Sequence, residues 1–455
     1  MAKSLAPRSQ PYQLAAAPGR RPLLGHVLPL WRRPLEFLES LSVLGDLVKI
    51  HIGSCPAYMV CHPELVQRVL VNAQAFDKGG PYYDTARTLA GNGISTCGWE
   101  DHRRQRPLVM PVFQKQRITA YTRTMAQEIA DVTAAWPSGR AFDITAAAHS
   151  LTVHITAKAL FSGHLGASAV DTVDKCLPVV VKGLYPRMLT PVKSVYKIPT
   201  PGNRHFDRSL SKLHQSIDEV IAAYRVTGTD HSDALSALLD HHDEKTGDRL
   251  NDAEVHDEVL GILVGAVETT PALLAWTFYL LSEYPEAAAR VREEAKSLLA
   301  GKPAEPDHIA HLKYTRRVLT EALRMYPPVW IVSRVTTTDV ELAGKILPPG
   351  TAVMWSPYIL HRNPRLFPEP ERFDPDRWLP GASPAPPRNA MIPFGGGSHR
   401  CPGETFGLNE ATLVLATVTR LWKLHAASGA ILRPLAKMTL SPGRIPMVKL
   451  PITQP

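Results

Sequence analysis

Cysteine is scarce in this chain of 455 residues, which contains five cysteines, at positions 55, 61, 97, 176 and 401. No two of them form a Cys-x-x-Cys pair, and an odd, scattered set does not build a disulfide framework. The pattern excludes a zinc ribbon and a four-cysteine iron–sulfur motif, and it is typical of a reducing cytoplasm. The Gly-x-Gly-x-x-Gly motif of dinucleotide-binding folds is also missing. The sequence therefore gives no sign of a flavin or iron–sulfur centre of its own.

Long hydrophobic runs are missing as well. The best apolar stretch, residues 259–267, is nine residues long, whereas a membrane span needs about 20, and the first residues lack the apolar core of a signal peptide. Lys and Arg exceed Asp and Glu by 51 to 42, but they are spread along the chain, which argues against nucleic-acid binding. We expect a soluble, cytoplasmic, monomeric protein with no membrane span and no nucleic-acid partner.

The composition predicts a large folded core. Apolar residues make up 44% of the chain and charged residues 20%, which excludes disorder for the bulk of it. Residues 1–20 are rich in Pro, Ala and Arg, and we expect a poorly ordered lead-in there. With no internal repeat and no sharp shift in composition, we expect residues 21–455 to form a single domain.

Periodicity predicts a mainly α fold with a small β-rich lobe. Alternating, β-branched residues predict a hairpin over 47–62 and further strands over 332–356. Apolar residues at three- and four-residue spacing predict helices over most of the rest. The clearest of these are residues 35–46, 117–136, 204–226 and 285–300.

One helix is predicted to be unusually long. Asn251 can cap it, and Glu254 three residues later completes a capping-box pattern. The pattern continues to Pro285, about 30 residues or roughly 45 Å. Because residues 259–267 are apolar on every side, we expect this helix to pass through the centre of the protein.

The strongest chemical signal is the loop Phe394-Gly-Gly-Gly-Ser-His-Arg-Cys-Pro-Gly403. Its glycines allow tight backbone packing and positive φ. Cys401 comes just before a predicted helix, whose N-terminus favours a thiolate. Such a thiolate is suited to be an axial ligand of haem iron. The alternative, a free cysteine acting as a small buried hydrophobe, does not account for the glycines.

In type and spacing, Phe394, Gly397, Cys401 and Gly403 resemble the haem-thiolate signature of the cytochrome P450 superfamily. The resemblance extends over nearly the whole chain, because further motifs follow in the family's order. It implies the cytochrome P450 fold, with haem b held between the long central helix and the loop and helix of Cys401. It also places Phe394, Gly395, Gly265 and Ala266 beside the haem.

A second motif is Glu321-Ala-Leu-Arg324, which puts a carboxylate and a guanidinium on one helix face. In the family this pair joins an arginine from a downstream Pro-Glu-Arg-Phe segment in a buried network. Here Pro370-Glu-Arg-Phe373 matches that segment, so the resemblance makes Arg372 the third, structural member. A lone pair of this kind would otherwise be an ordinary surface ion pair.

A third motif, Gly265-Ala-Val-Glu-Thr-Thr-Pro271 in the long helix, resembles the family's oxygen-activation segment. Gly265 and Ala266 leave space for dioxygen. Pro271 lacks an N–H group and frees the carbonyl of Val267, so we expect a bulge or kink there. Glu268 and Thr269 are then the catalytic residues that relay protons. The alternative is a back-bonded threonine beside a solvated glutamate.

A fourth set of residues matches the family's haem-propionate positions. His102 and Arg106 lie four residues apart on one helix face, before the landmark Pro111-Val-Phe113. Arg334 and His399 match the two other positions. We expect neighbouring Arg103 and Arg104 to belong to a solvated basic face.

The expected substrate pocket has no clear charged anchor, which predicts an apolar small-molecule substrate. The predicted pocket residues are Tyr82, Tyr83, Ile262, Val329, Trp330 and Ile331. Residues 21–41, 45–50 and 78–84 are similar to terpene-modifying members of the family from actinobacteria, which implies a sesquiterpene or other terpenoid. A macrolide or another apolar natural product is the alternative. The acidic runs at 240–244 and 251–258 faintly resemble terpene-cyclase metal motifs, but a solvated loop and a helix cap explain them better.

The resemblance implies a monooxygenase that takes electrons from NAD(P)H through a ferredoxin and its reductase. Basic residues near the cysteine could attract an acidic ferredoxin; they are Arg103, Arg104, Arg400 and Lys423. Two alternatives remain open. A peroxide-driven peroxygenase usually lacks an acid–alcohol pair, so Glu268 and Thr269 argue against it. A haem-thiolate sensor needs no proton relay but normally carries a DNA-binding or signalling module, of which the sequence gives no sign.

Overall fold

Helices dominate the structure. The computed structural model describes residues 11–451 apart from 163–165, 191–192, 228–232, 300–303, 384, 386, 388 and 428–431. The helices are α1 Val27–Arg32, α2 Pro34–Ser42, α3 Pro63–Val71, α4 Gly80–Ala90, α5 Trp99–Val109, α6 Lys115–Ala134, α7 Ile144–Phe161, α8 Gly166–Leu189, α9 Pro201–Thr227, α10 Ala234–Asp240, α11 Asp252–Glu283, α12 Pro285–Leu299, α13 Lys313–Met325, α14 Pro357–Leu360 and α15 Glu404–Leu421. Short 3-10 turns lie at Met110–Phe113, Lys193–Lys197, Pro306–His308, Pro375–Trp378 and Gly397–His399.

The described strands form four sheets, of which the largest is a mixed sheet of six strands. They are β1 Leu14–Ala16, β2 Leu47–Ile52, β3 Cys55–Val60, β4 Phe76–Asp77, β5 Ala141–Asp143, β6 Val332–Thr336, β7 Val340–Leu342, β8 Lys345–Leu347, β9 Ala352–Trp355, β10 Trp422–Ala426, β11 Leu435–Ala436, β12 Leu440–Ser441 and β13 Pro446–Pro451. The largest sheet has the order β1-β2-β3-β9-β6-β4. The predicted hairpin is β2 and β3, in which Ile52 pairs with Cys55. The fold class, mainly α with a small β-rich lobe, is confirmed.

The N-terminal boundary differs from the predicted one. Leu14–Ala16 pairs in parallel with β2 at the edge of the main sheet, and the backbone N–H of Gln13 donates to Asp46 at 2.9 Å. Residues 14–16 therefore belong to the sheet and not to a poorly ordered lead-in, because β2 offers them an open edge. Residues 1–10 lie outside the described residues, and the single domain over 21–455 stays a prediction.

The long helix α11 is the centre of the fold. The Asn251 side chain accepts from the Glu254 N–H, and the Glu254 side chain accepts from the Asn251 N–H, as the capping box predicts. By length and composition α11 could cross a membrane, but most of its apolar stretch is buried inside the protein. Its buried residues include Val259, Leu263 and Val267. We conclude that it is a core helix.

A bulge or kink was predicted at Pro271. No bulge is present, since residues 252–283 are α-helical without interruption, and a kink stays a prediction. Proline removes one hydrogen bond from the helix, but the residues on either side of it are buried. Thr270 is 5% exposed and Ala272 6% exposed. This packing is our explanation for a regular helix at Pro271.

Candidate active site

The loop before α15 is folded so that Cys401 faces an internal cavity. The Cys401 N–H donates to the carbonyl of Phe394 at 2.9 Å, which closes the loop. Gly397 has a φ of +62°, and a Cβ there would lie 2.0 Å from the carbonyl oxygen of Leu70. Only glycine fits this position, because the backbone is left-handed and α3 presses against it.

The cysteine sulfur lies at the N-terminus of α15. Burial raises the pKa of the Cys401 thiol, while the backbone N–H groups of Gly403 and Glu404 and the guanidinium of Arg106 act in the opposite direction. These donors favour a thiolate, and a metal ion bound to the sulfur would hold it deprotonated. The environment suits a sulfur that ligates a metal centre.

A cavity of 400 Å³ lies between α11 and the cysteine loop. From α11 it is lined by Gly265, Ala266 and Thr269, and from the loop by Phe394, Gly395 and Cys401. The structure therefore brings together two segments that are far apart in the sequence. The cavity lies where the resemblance places the haem.

One end of this cavity is strongly basic. His102, Arg106, Arg334 and His399 all line it. His102 is 2% exposed and Arg334 6% exposed, and the Nε2 atoms of His102 and His399 are buried without a hydrogen-bond partner. Burial, together with the charges of Lys78 and Arg334, lowers the pKa of His102 to about 3 and that of His399 to about 2. Orphaned donors beside cations fit a ligand that carries carboxylates.

The two arginines are held by other contacts. Arg334 Nη1 donates to the Tyr83 hydroxyl and to the carbonyl of Ser333, and its guanidinium lies 5.4 Å from the Trp355 ring. Arg106 Nη2 donates to the carbonyl of Arg400 at 2.8 Å. Arg106 therefore connects α5 to the cysteine loop, and Arg334 is fixed at the edge of the sheet.

These features fit a haem. A cysteine sulfur faces one wall of the cavity, small residues line the other, and unpartnered basic groups lie at one end. Cys401 would ligate the iron, and His102, Arg106, Arg334 and His399 would hold the propionates.

The two predicted catalytic residues have different surroundings. Thr269 lines the cavity, and its hydroxyl donates to the Gly265 carbonyl at 2.6 Å. Glu268 does not line the cavity, and it has no hydrogen-bond partner among the residues that the structure describes. Burial raises the pKa of Glu268 to about 8. The threonine is back-bonded, but the glutamate is a shielded carboxyl that keeps its proton at neutral pH.

Three of the six predicted pocket residues line the cavity, namely Tyr83, Ile262 and Val329. The prediction is wrong for Tyr82, Trp330 and Ile331. Tyr82 packs against the main core and Ile331 against the core beneath the sheet. Trp330 is 2% exposed, and its indole N–H donates to the carbonyl of Lys437 at 2.8 Å. These side chains point away because tertiary contacts take them into the core.

Two charged residues of the cavity wall, Lys78 and Glu258, were not predicted from the sequence. They are 6% and 1% exposed. The predicted absence of a charged anchor is therefore wrong. A signal was present for Glu258, which lies three and four residues before Gly261 and Ile262 and so shares their helix face. Lys78 has no comparable local signal.

The buried network contains Arg377 in place of Arg372. Arg324 Nε and Nη2 each donate to Glu321 at 2.9 Å, and both side chains are fully buried. Arg377 Nε donates to Glu321 at 3.4 Å and the Trp378 indole at 2.8 Å. Arg372 is exposed and pairs with Glu369, and only its carbonyl accepts from Arg324. The prediction of Arg372 is therefore wrong.

A signal for Arg377 was present in the sequence. Pro375-Asp-Arg-Trp378 is a second tetrad of proline, acid, arginine and aromatic residue, five positions after the first. In the first tetrad, Phe373 is 4% exposed and packs in the core, which leaves Arg372 on the outside. The second tetrad faces Glu321.

Most of the basic residues that were predicted to attract a redox partner form ion pairs with acidic residues of this chain. Arg103 pairs with Glu100 at 3.1 Å, and Arg400 with Glu404 at 2.8 Å. Arg104 forms an ion pair with Glu254 on α11, so it joins two helices and is not simply part of a solvated face. Lys423 is exposed on β10.

Comparison with known proteins gives the family. The cytochrome P450 family model matches residues 16–446. Cyclooctat-9-en-7-ol 5-monooxygenase of Streptomyces melanosporofaciens is 45% identical over 98% of this chain and 97% of its own length. Cyclooctatin synthase of the same organism is 43% identical over 98% of this chain and 97% of its own. Pentalenene oxygenase of Streptomyces avermitilis is 42% identical over 93% of this chain and 94% of its own.

The family match covers the cysteine loop, α11 and the buried Glu321 network together, and three relatives of known activity align over almost their full length. On these grounds the chain belongs to the cytochrome P450 family.

Proposed function

We propose that this cytochrome P450 is a monooxygenase that inserts one atom of O2 into a C–H or C=C bond of a terpenoid. The observation that carries the proposal is the cavity in which Cys401 faces Gly265, Ala266 and Thr269 of α11. A haem bound there supplies the activation of oxygen and the oxidation of carbon, with a thiolate ligand that favours O–O cleavage. The protein supplies binding, orientation and protons.

The α11 segment has separate roles for its small and polar residues. No atom lies within 4 Å of a Cβ built on Gly265, so this position leaves room for dioxygen. Glu268 is the proton reserve, because its raised pKa keeps the carboxyl protonated at pH 7. Thr269, the next residue along α11, lines the cavity, and its hydroxyl would pass the proton inward once it leaves the Gly265 carbonyl to which it donates. This pair favours a monooxygenase over a peroxide-driven peroxygenase.

A terpenoid substrate is supported in two ways. The cavity wall is largely apolar, with Ile262, Val329 and Leu273 among its residues. The names of three similar proteins refer to cyclooctat-9-en-7-ol, cyclooctatin and pentalenene. A sesquiterpene or related terpenoid in secondary metabolism is therefore the substrate class that we propose.

The electron donor that we propose is a ferredoxin, reduced by NAD(P)H through a ferredoxin reductase. The sequence contains no dinucleotide motif and no cysteine quartet, and α5, which carries Arg103 and Arg104, contacts the cysteine loop through Arg106. Because Arg103, Arg104 and Arg400 are paired with acids, the attraction would depend mainly on Lys423, which is exposed on β10. We propose that the protein acts as a monomer in the cytoplasm.

The first test is a titration of the haem-loaded protein with terpenoids and, as a comparison, macrolides. A substrate that displaces water from iron shifts the Soret band, and we expect that shift with terpenoids alone. A shift with macrolides only would overturn the substrate class.

Turnover is the second test. With ferredoxin, reductase and NADPH, the terpenoid that shifts the Soret band should gain one oxygen atom. An equal rate with peroxide alone would support a peroxygenase. A normal thiolate-type carbon monoxide spectrum without any oxidation would support a sensor, and either result would overturn the proposal.

A further inference from the structure

Two buried ionisable side chains hold one residue of the cavity wall by its backbone. Ile94 lies in the loop 91–98 between α4 and α5. Its N–H donates to Glu258 Oε1 at 2.6 Å, and its carbonyl accepts from the Lys78 ammonium. All three residues line the cavity.

The backbone of Ile94 needs these partners. Among the described residues neither its N–H nor its carbonyl takes part in a backbone hydrogen bond, and buried backbone groups are rarely left unpaired. Lys and Glu are themselves rarely buried unless they are paired, yet Lys78 is 6% exposed and Glu258 1% exposed. Each of the two thus satisfies one backbone group of Ile94.

The rest of the loop is pressed against α11. The Asn92 N–H donates to Asp257 at 2.6 Å. A Cβ on Gly93 would lie 3.1 Å from the Asp257 carbonyl oxygen, and a Cβ on Gly261 would lie 3.3 Å from the Ser95 hydroxyl. On the other side Arg87 donates to the carbonyls of Thr96 and Lys78 at 2.9 and 3.0 Å. Ile94 is therefore the centre of a loop that is fixed at both ends.

We propose that Lys78 and Glu258 are positioning residues that fix the Ile94 side chain in the cavity wall and so determine how a bulky apolar ligand packs beside the haem. The positioning of Ile94 does not depend on the proposed function. Its consequence, control over which carbon of the substrate is oxidised, rests on that function. Neither residue needs to touch the substrate. Lys78 lies in the connection between β4 and α4, and Glu258 lies on α11. The backbone of Ile94 is therefore held from two different elements.

The experiment compares two haem ligands, imidazole and 4-phenylimidazole, in haem-loaded protein. Both bind haem iron, and 4-phenylimidazole adds a bulky apolar group that the cavity wall must accommodate. We expect Glu258→Leu and Lys78→Met to reduce the preference for 4-phenylimidazole about tenfold, and Ile94→Ala to do the same. Glu258→Gln keeps a side-chain acceptor for the Ile94 N–H, so its preference should stay within about twofold of the wild type. Glu286→Leu, at an exposed position of α12, is the matched control.

Equal haem content and an unchanged carbon monoxide spectrum must be shown for each variant first. If both Glu258→Leu and Lys78→Met keep the wild-type preference for 4-phenylimidazole, the inference is overturned. It is also overturned if these two variants lose the preference but Ile94→Ala keeps it. Failure of the proposed function is distinct from both results: the preference would change as expected, but no terpenoid would be oxidised.

Discussion

The imidazole rings of His102 and His399 lie 4.2 Å apart between centroids, and each ring has a buried Nε2 atom without a partner. One histidine comes from α5 and the other from the cysteine loop. The rings are too close to admit a group between them, but a carboxylate in the cavity beside them could accept from an unpartnered Nε2, as a haem propionate would.

Removing either ring should weaken haem retention. A hydrogen bond to a charged group contributes about 1.5–3 kcal/mol, so we expect His102→Leu and His399→Leu each to accelerate haem loss to apomyoglobin by roughly ten- to a hundredfold. His425→Leu on β10 is the control. Unchanged loss rates in both variants would argue against a role in propionate binding.

The same histidines predict how the haem-free protein responds to acid. The pKa of His399 is about 2 in the folded protein and about 6.5 when unfolded, so below pH 6.5 the unfolded state binds more protons. Stability should therefore fall as the pH drops below 6.5, by at most about 1.4 kcal/mol per pH unit for this residue. Urea unfolding at pH 7 and pH 5 checks this, and His399→Leu should show a smaller difference than the wild type.

Local patterns in the sequence predicted most of the fold. The capping box of Asn251 and Glu254 involves neighbours three residues apart, and the glycines before Cys401 specify a loop by their own conformation. The errors arose where the answer depends on distant contacts. Both Arg372 and Arg377 lie in a suitable tetrad, and only tertiary packing decides which one meets Glu321.

The candidate site, too, was predictable where local sequence decides and not where distant contacts decide. The spacing of residues 394–403 was sufficient to single out Cys401 as the candidate ligand, but the direction of a side chain in the segment before β6 was not predictable. Trp330 turns into the core because Lys437, far along the chain, offers a carbonyl. Lys78 and Glu258 were missed because their significance depends on a shared contact with Ile94.

Replacement of the cysteine ligand tests the basis of the site. Cys401→Ser removes the sulfur, and we expect loss of the thiolate-type carbon monoxide spectrum and of oxygenation, whether or not some haem stays bound. Cys55→Ser is the control, since Cys55 is an exposed free cysteine at the start of β3. A normal spectrum in Cys401→Ser would contradict the assignment.

Proton delivery by Glu268 should give a pH-dependent rate. Because its pKa is raised to about 8, the carboxyl carries its proton below that pH and loses it above. Turnover supported by the redox chain should therefore fall as the pH rises through about 8, with more reduced oxygen released as peroxide. Glu268→Gln cannot exchange the proton, so it should be slow at every pH and lack this step. A step of the same size in that variant would assign the titration to another group.

The two neighbouring arginines allow a matched test of the buried network. Arg377 is 9% exposed and donates to the fully buried Glu321, whereas Arg372 is 61% exposed. Loss of one partner from a buried ion pair costs about 3–5 kcal/mol, while an exposed substitution changes stability by about 0.5 kcal/mol or less. We expect Arg377→Met to lower the free energy of unfolding by about 3–5 kcal/mol and to reduce haem incorporation. Arg372→Met should change the free energy of unfolding by about 0.5 kcal/mol or less and leave haem incorporation unchanged. Because both variants make the same chemical change five residues apart, equal effects in urea unfolding would mean that Arg377 does not act through Glu321.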